Sequence, residues 1–146
     1  MRICAEKKNR KIKQRWHEKE SDFMLFESKQ HKEMFEKCIE RIRDKNDVYR
    51  VSALYALTCC NTIREHIEEV YDFECDSIDF DCFDKGWQTG TTLDITRFAF
   101  NMFNDFHGFN DSDTSSYTPY QLFGNCYCRY LLEAVKLRYP EYNTED

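Results

Sequence analysis

The sequence predicts an all-α fold: a compact bundle of five to six helices around a buried central helix at about residues 92–106, preceded by a flexible basic N-terminal arm. Three observations carry this. Only four Gly and two Pro in 146 residues leave few turns for a sandwich or barrel. Apolar residues recur at helical spacing through most of the chain after residue 28. Twelve Phe and nine Tyr supply large buried areas, enough for one strong core in a chain of this length. The expected organisation is an arm at residues 1–20 and a single helical domain at residues 21–146.

The elements follow in order. Phe23–Phe26 is a short apolar lead-in. A helix over about 28–44 has Ser28 as N-cap and Met34, Phe35, Cys38, Ile39 and Ile42 on one face. A second helix, about 47–60, buries Val48, Val51, Leu54 and Tyr55. Thr62-Ile63-Arg64-Glu65 reads as a capping box that opens a third helix with Ile63, Ile67 and Val70 inward. Residues 72–86 alternate acid and aromatic and read as loop or short helix anchored by Ile78, Phe80 and Phe83. Thr91 is the expected N-cap of the 92–106 helix, whose apolar residues cover most of its circumference, the mark of a buried helix. A polar loop spans 108–117. Thr118-Pro119-Tyr120-Gln121 then starts a short helix, with Thr as cap and Pro in the first turn. A last helix covers about 125–139 and stops at Pro140.

Charge divides the chain. Seven basic residues stand against Glu6 in residues 1–15, a net of +6, so the remainder carries −12 of the overall −6. Lys7, Lys8, Arg10, Lys11, Lys13 and Arg15 are therefore a candidate nucleic-acid contact, although the acidic body would repel the same polymer. No apolar run follows the N-terminal charges and none reaches the length of a membrane helix. The expected location is the cytoplasm, where eight cysteines would stay as free thiols.

No catalytic signature is present: no nucleophile elbow, phosphate-binding loop, dinucleotide fingerprint or His-Glu-x-x-His pair. Cys126-Tyr127-Cys128, Cys75 with Cys82, and Cys59-Cys60 lack the spacing at which two thiolates meet one zinc. Asp111-x-Asp113-x-Ser115 begins like a calcium loop but lacks its later Gly and Glu. Neither a metal nor a cofactor is expected, and binding is expected in preference to catalysis.

Two places suit a ligand or partner. The turn Trp87, Gln88, Thr89, Thr91 and Thr92, with Arg97 and Asn101 on the following helix, combines hydroxyls, free amides and an aromatic ring, which suits a nucleotide or small anion. The same residues serve any sharp loop-to-helix junction. The acidic residues Asp72, Glu74, Asp76, Asp79, Asp81 and Asp84 lie among aromatics and suit a basic protein partner, or form a solvated loop.

The strings His31-x-x-x-Phe35, Ala53-Leu54-Tyr55-Ala56-Leu57, Tyr71-Asp72-Phe73, Gly86-Trp87-Gln88-Thr89, Arg97-Phe98-Ala99-Phe100-Asn101, Thr118-Pro119 and Ala134-Val135-Lys136-Leu137-Arg138-Tyr139 carry a resemblance. Over about residues 26–139 the chain resembles a small, uncharacterised family of Gram-positive bacteria and their phages, a domain of unknown function. The resemblance implies bacterial or phage origin and no activity. The leading expectation is a non-enzymatic binding protein, a phage or mobile-element accessory that inhibits a host protein, with immune defence the target suggested by analogy with other small phage proteins. A nucleotide-sequestering protein and a nucleic-acid binder stand beside it as alternatives.

Overall fold

The computed structural model describes residues 24–143, and the arm with Lys7, Lys8, Arg10, Lys11, Lys13 and Arg15 lies outside the described residues. The first helix, α1 (Lys29–Arg41), starts as the sequence predicts: Ser28 Oγ accepts the His31 amide at 3.1 Å. Its buried side is His31, Phe35, Cys38 and Ile39, and Ile42 continues that side beyond the helix.

The second helix, α2 (Val48–Thr58), is capped by Asp47, whose side chain accepts the Tyr49 amide. Every residue from Val51 to Cys60 is buried. Ala53 and Ala56 let neighbouring backbones close in, while Leu54, Tyr55 and Leu57 fill the space between them. Its two buried hydroxyls cost little, because each donates to a carbonyl of its own helix: Ser52 to Tyr49 at 3.2 Å and Thr58 to Leu54 at 2.7 Å. Helix α2 thus shares the centre of the bundle with the helix expected there.

Two short helices follow, α3 (Asn61–Glu65) and α4 (Ile67–Val70). The predicted capping box at Thr62 does not form. The helix begins two residues earlier, after Cys60, so Thr62 already lies within the first turn, and Asn61 reaches Glu65 instead at 3.2 Å. The stretch expected as loop or short helix is both more and less than that. A two-stranded antiparallel hairpin, β1 (Tyr71–Asp72) with β2 (Ser77–Ile78), sets Tyr71 opposite Ile78, and a 3₁₀ turn runs Phe80–Asp84.

The helix expected at 92–106 is α5 (Gly90–Asn104), buried along Ile95, Thr96, Phe98, Ala99 and Phe100 and packed on α2. Its cap is Thr89 and not Thr91. The Thr89 hydroxyl accepts the Thr92 amide at 3.2 Å and the Thr92 hydroxyl accepts the Thr89 amide at 2.7 Å, a reciprocal box built from two threonines. The helix stops at Asp105, which is left-handed at φ 66, and Asn101 clamps the turn by donating to the Phe106 carbonyl at 3.1 Å.

Gly108 (φ +110) then lets the chain double back: a Cβ there would stand 2.3 Å from Asp113 Cβ. The polar loop is wound into a 3₁₀ turn, Asp111–Tyr117, held by Asp113 accepting the Phe109 amide at 2.8 Å. Helix α6 (Pro119–Leu122) has the Thr118 cap and Pro in its first turn. Helix α7 (Cys128–Arg138) returns across α2 with Leu131, Ala134 and Leu137 inward, and Pro140–Tyr142 forms a last 3₁₀ turn. No helix of the described residues is long and apolar enough to cross a membrane.

Candidate functional site

The residues predicted to form one ligand site separate into three places. At the turn itself, Trp87 lies flat on His66, ring centroids 4.5 Å apart and planes 2° from parallel. His66 Nδ1 pairs with Glu69, whose other oxygen lies 3.6 Å from Lys85 Nζ, and the bond to His66 holds the Glu69 carboxyl below its ordinary range. Gln88 donates to the Cys82 carbonyl at 3.1 Å. Thr89 and Thr92 spend their hydroxyls on each other and on the helix start. Thr91 is half-buried and takes no part in the box. Most of the donors expected to greet a nucleotide at this turn are therefore already engaged in building it.

Arg97 faces elsewhere. It pairs with Asp94 at 3.4 Å and lines a cleft of about 220 Å³ with Phe83, Asp84, Phe109, Asp113 and Tyr117. Burial raises the Asp94 carboxyl above its ordinary value against the pull of Arg97, and pushes the Tyr117 phenol up to about 12. Asn101, one turn further along α5, belongs to a different cleft at the far end of the helix.

The acidic residues also divide. Asp76 is a correction to the predicted contact surface, because it is turned into the protein. It is left-handed at φ 55 and buried, and its carboxylate accepts the Tyr71 hydroxyl at 2.7 Å and meets Arg50 Nε at 3.2 Å. Asp72 and Asp79 cap turns. Asp72 accepts the amides of Cys75 and Glu74 at 3.0 and 2.9 Å, which lowers its pKa, and Asp79 accepts that of Asp81 at 3.0 Å. Glu74, Asp81 and Asp84 keep exposed positions.

Of these, Asp81 and Asp84 flank in sequence an aromatic cluster that sequence reasoning saw only in part. Phe80, Phe83 and Phe106 each meet Phe100 edge to face, and Phe109 closes on Phe80 at 5.9 Å, Phe83 at 5.7 Å and Phe106 at 5.2 Å. Phe109 remains 64 % exposed and Phe80 38 %. Asp81 follows Phe80 in sequence, Asp84 and Asp113 line the same cleft as Phe109, and Asp111 is exposed two residues beyond it. Phe80 and Phe109 are thus an exposed apolar pair beside a cleft that Asp84, Asp113 and Arg97 line. Phe109 sits in the segment read as a polar loop, so hydropathy gave no signal for its role.

His31 was also not foreseen. It is fully buried, and its ring is held at both nitrogens: Nε2 donates to the Tyr55 carbonyl at 3.0 Å and Nδ1 accepts the Glu27 amide at 3.0 Å. Burial pushes it down to about 4, which fixes the neutral ring in place.

The cysteines of the described residues are free. Burial pushes the Cys38 and Cys82 thiols up to about 12 and raises Cys59 further, so they behave as small apolar groups. Among the described residues no cluster of three or more His, Cys, Asp or Glu is placed to hold a metal ion.

No curated protein and no solved structure matches the chain. A family model described as a family of unknown function, DUF6075, matches residues 21–146. That span takes in every element described above, and the chain belongs to the DUF6075 family.

Proposed function

We propose that the domain is a non-enzymatic binding protein that grips a basic segment of a partner protein against the Phe80–Phe109 face. The observation that carries this reading is Phe109, 64 % exposed beside Phe80, with Asp84 and Asp113 lining the cleft next to it. An exposed aromatic pair loses its contact with water when a partner covers it, and the acids around it select a partner rich in Lys or Arg. On this reading the chain is an accessory protein of a phage or mobile element. Its partner is a bacterial host protein in the cytoplasm, and coverage of the basic segment inhibits that protein.

The test is native mass spectrometry of the full chain recovered from its own cells, followed by titration of the recovered partner. A stoichiometric complex is expected, weakening with added salt because surface charges are screened. Phe109→Ser and Asp84→Lys, both at exposed positions, should each weaken it at least about tenfold, the loss typical of a central interface residue. Leu132→Ser, on the outer side of α7, should leave it unchanged. A complex indifferent to the first two variants, or the absence of any complex, overturns the proposal.

A further inference from the structure

Several arginines of the described residues hold carboxylates. Arg41 pairs with Glu68, Arg50 with Asp47 and Asp76, Arg64 with Glu27 and Arg97 with Asp94. Arg138 does not. Its guanidinium lies 3.8 Å from the centre of the Tyr49 ring and 4.6 Å from that of Tyr139, and among the described residues no carboxylate pairs with it. A cation clamped by aromatic rings keeps its charge and loses most of its side-chain freedom before any ligand arrives.

Arg138 opens onto a cleft of about 450 Å³ between the start of α2 and the ends of α5 and α7. That volume falls within the range of small-molecule sites. The cleft is separate from both the Trp87 turn and the Phe109 face, and shares no lining residue with the Arg97 cleft. Beside Arg138, Asn104 has donors to spare. Asn104 Oδ1 is occupied by the Phe106 amide at 3.1 Å, which leaves its side-chain N–H groups for a ligand. Asn101 also lines the cleft, and Met102 with the tyrosine rings supplies an apolar surface. The one acid in the lining is Asp105, exposed, which disfavours a doubly charged ligand.

We propose that this cleft binds a small organic carboxylate with an apolar or aromatic body. The Arg138 fork would take both carboxylate oxygens, the Asn104 amide would add a donor, and Met102 and the Tyr139 ring would cover the body. Asp105 selects the monoanion over a phosphate monoester.

Benzoate, phenyl phosphate and benzylamine, titrated into the full chain and followed by nuclear magnetic resonance, test this. Benzoate should bind saturably at millimolar concentration and move the Arg138 Nε–H, the Asn104 side-chain amide and the rings of Tyr49 and Tyr139. Arg138→Ala should weaken it at least about tenfold, and Arg138→Lys by a similar factor, because an ammonium cannot present the fork. Asp105→Asn removes the repelling charge, and Asn tolerates the left-handed backbone. That variant should bind benzoate about threefold tighter and should gain more for phenyl phosphate. It decides the matter even if the Arg138 variants do not fold. Absence of saturable benzoate binding, an unchanged affinity in a folded Arg138→Ala, tighter binding of phenyl phosphate than of benzoate to the natural chain, or benzylamine seated in the cleft would each overturn the proposal.

Discussion

His31 shows how one side chain links a pH to the fold. Both ring nitrogens are committed, so a proton on Nδ1 must expel the Glu27 amide and place a charge among Phe26, Tyr55 and Tyr130. The folded pKa of about 4 lies below the ordinary 6.5. Stability from the neutral ring is therefore fully present above pH 6.5 and is lost as the pH falls towards 4. The loss from this group is about 3 kcal/mol, and His31→Gln should lack that part of the slope when urea unfolding is followed across the window. The sequence showed His31 as one of four scattered histidines and as part of the family-like His31-x-x-x-Phe35 string, and gave no sign of its burial, which depends on Tyr55, on a different helix. Asp76 was misread for a related reason. Acid among acids suggests solvent, and only the hairpin turn brings it to Tyr71 and Arg50.

At the scale of elements, helices with strong local signals were legible and those built by tertiary contact were not. Ser28 and Thr118 cap their helices where the pattern of residues places them. The start of α5 was displaced by two residues because Thr89, Thr91 and Thr92 all suit a cap, and only the paired hydroxyls of Thr89 and Thr92 close the box. Thr89→Ala should accordingly cost about 1 kcal/mol in chemical denaturation, while Thr91→Ala should cost a small fraction of that. Equal losses would return the cap to Thr91. The hairpin was invisible, since two-residue strands carry no alternation to read. The candidate ligand turn read well as a junction and poorly as a site, because the same hydroxyls that attract an anion also finish a helix.

At the scale of the molecule, the all-helical class followed from composition and period, yet the burial of α2 along its whole inner length did not. Its pattern resembles that of any amphipathic helix until α1, α5 and α7 are all laid against it. The hairpin is joined to this body by its buried Tyr71 and Ile78, by Arg41 over the Phe73 ring, and by Asp76, which binds Arg50 of α2 and Tyr71 of β1 together. Asp76→Ala should cost about 3 kcal/mol, because it removes the acceptor of the buried Tyr71 hydroxyl, takes from Arg50 one of its two acids and places Ala in the left-handed turn. Asp76→Asn, which accepts the same backbone and keeps an oxygen for Tyr71, should cost less. Equal losses in urea titrations would show that the charge carries the whole effect.

The parallel stack of Trp87 on His66 has a consequence for light. Trp87 is the one tryptophan among the described residues, and an imidazole face against an indole drains its excited state. With Trp16 replaced by Phe, emission from this chain becomes a single-site signal. It would brighten whenever the junction before α5 loosens, so the protein carries its own optical gauge of that corner without an added dye.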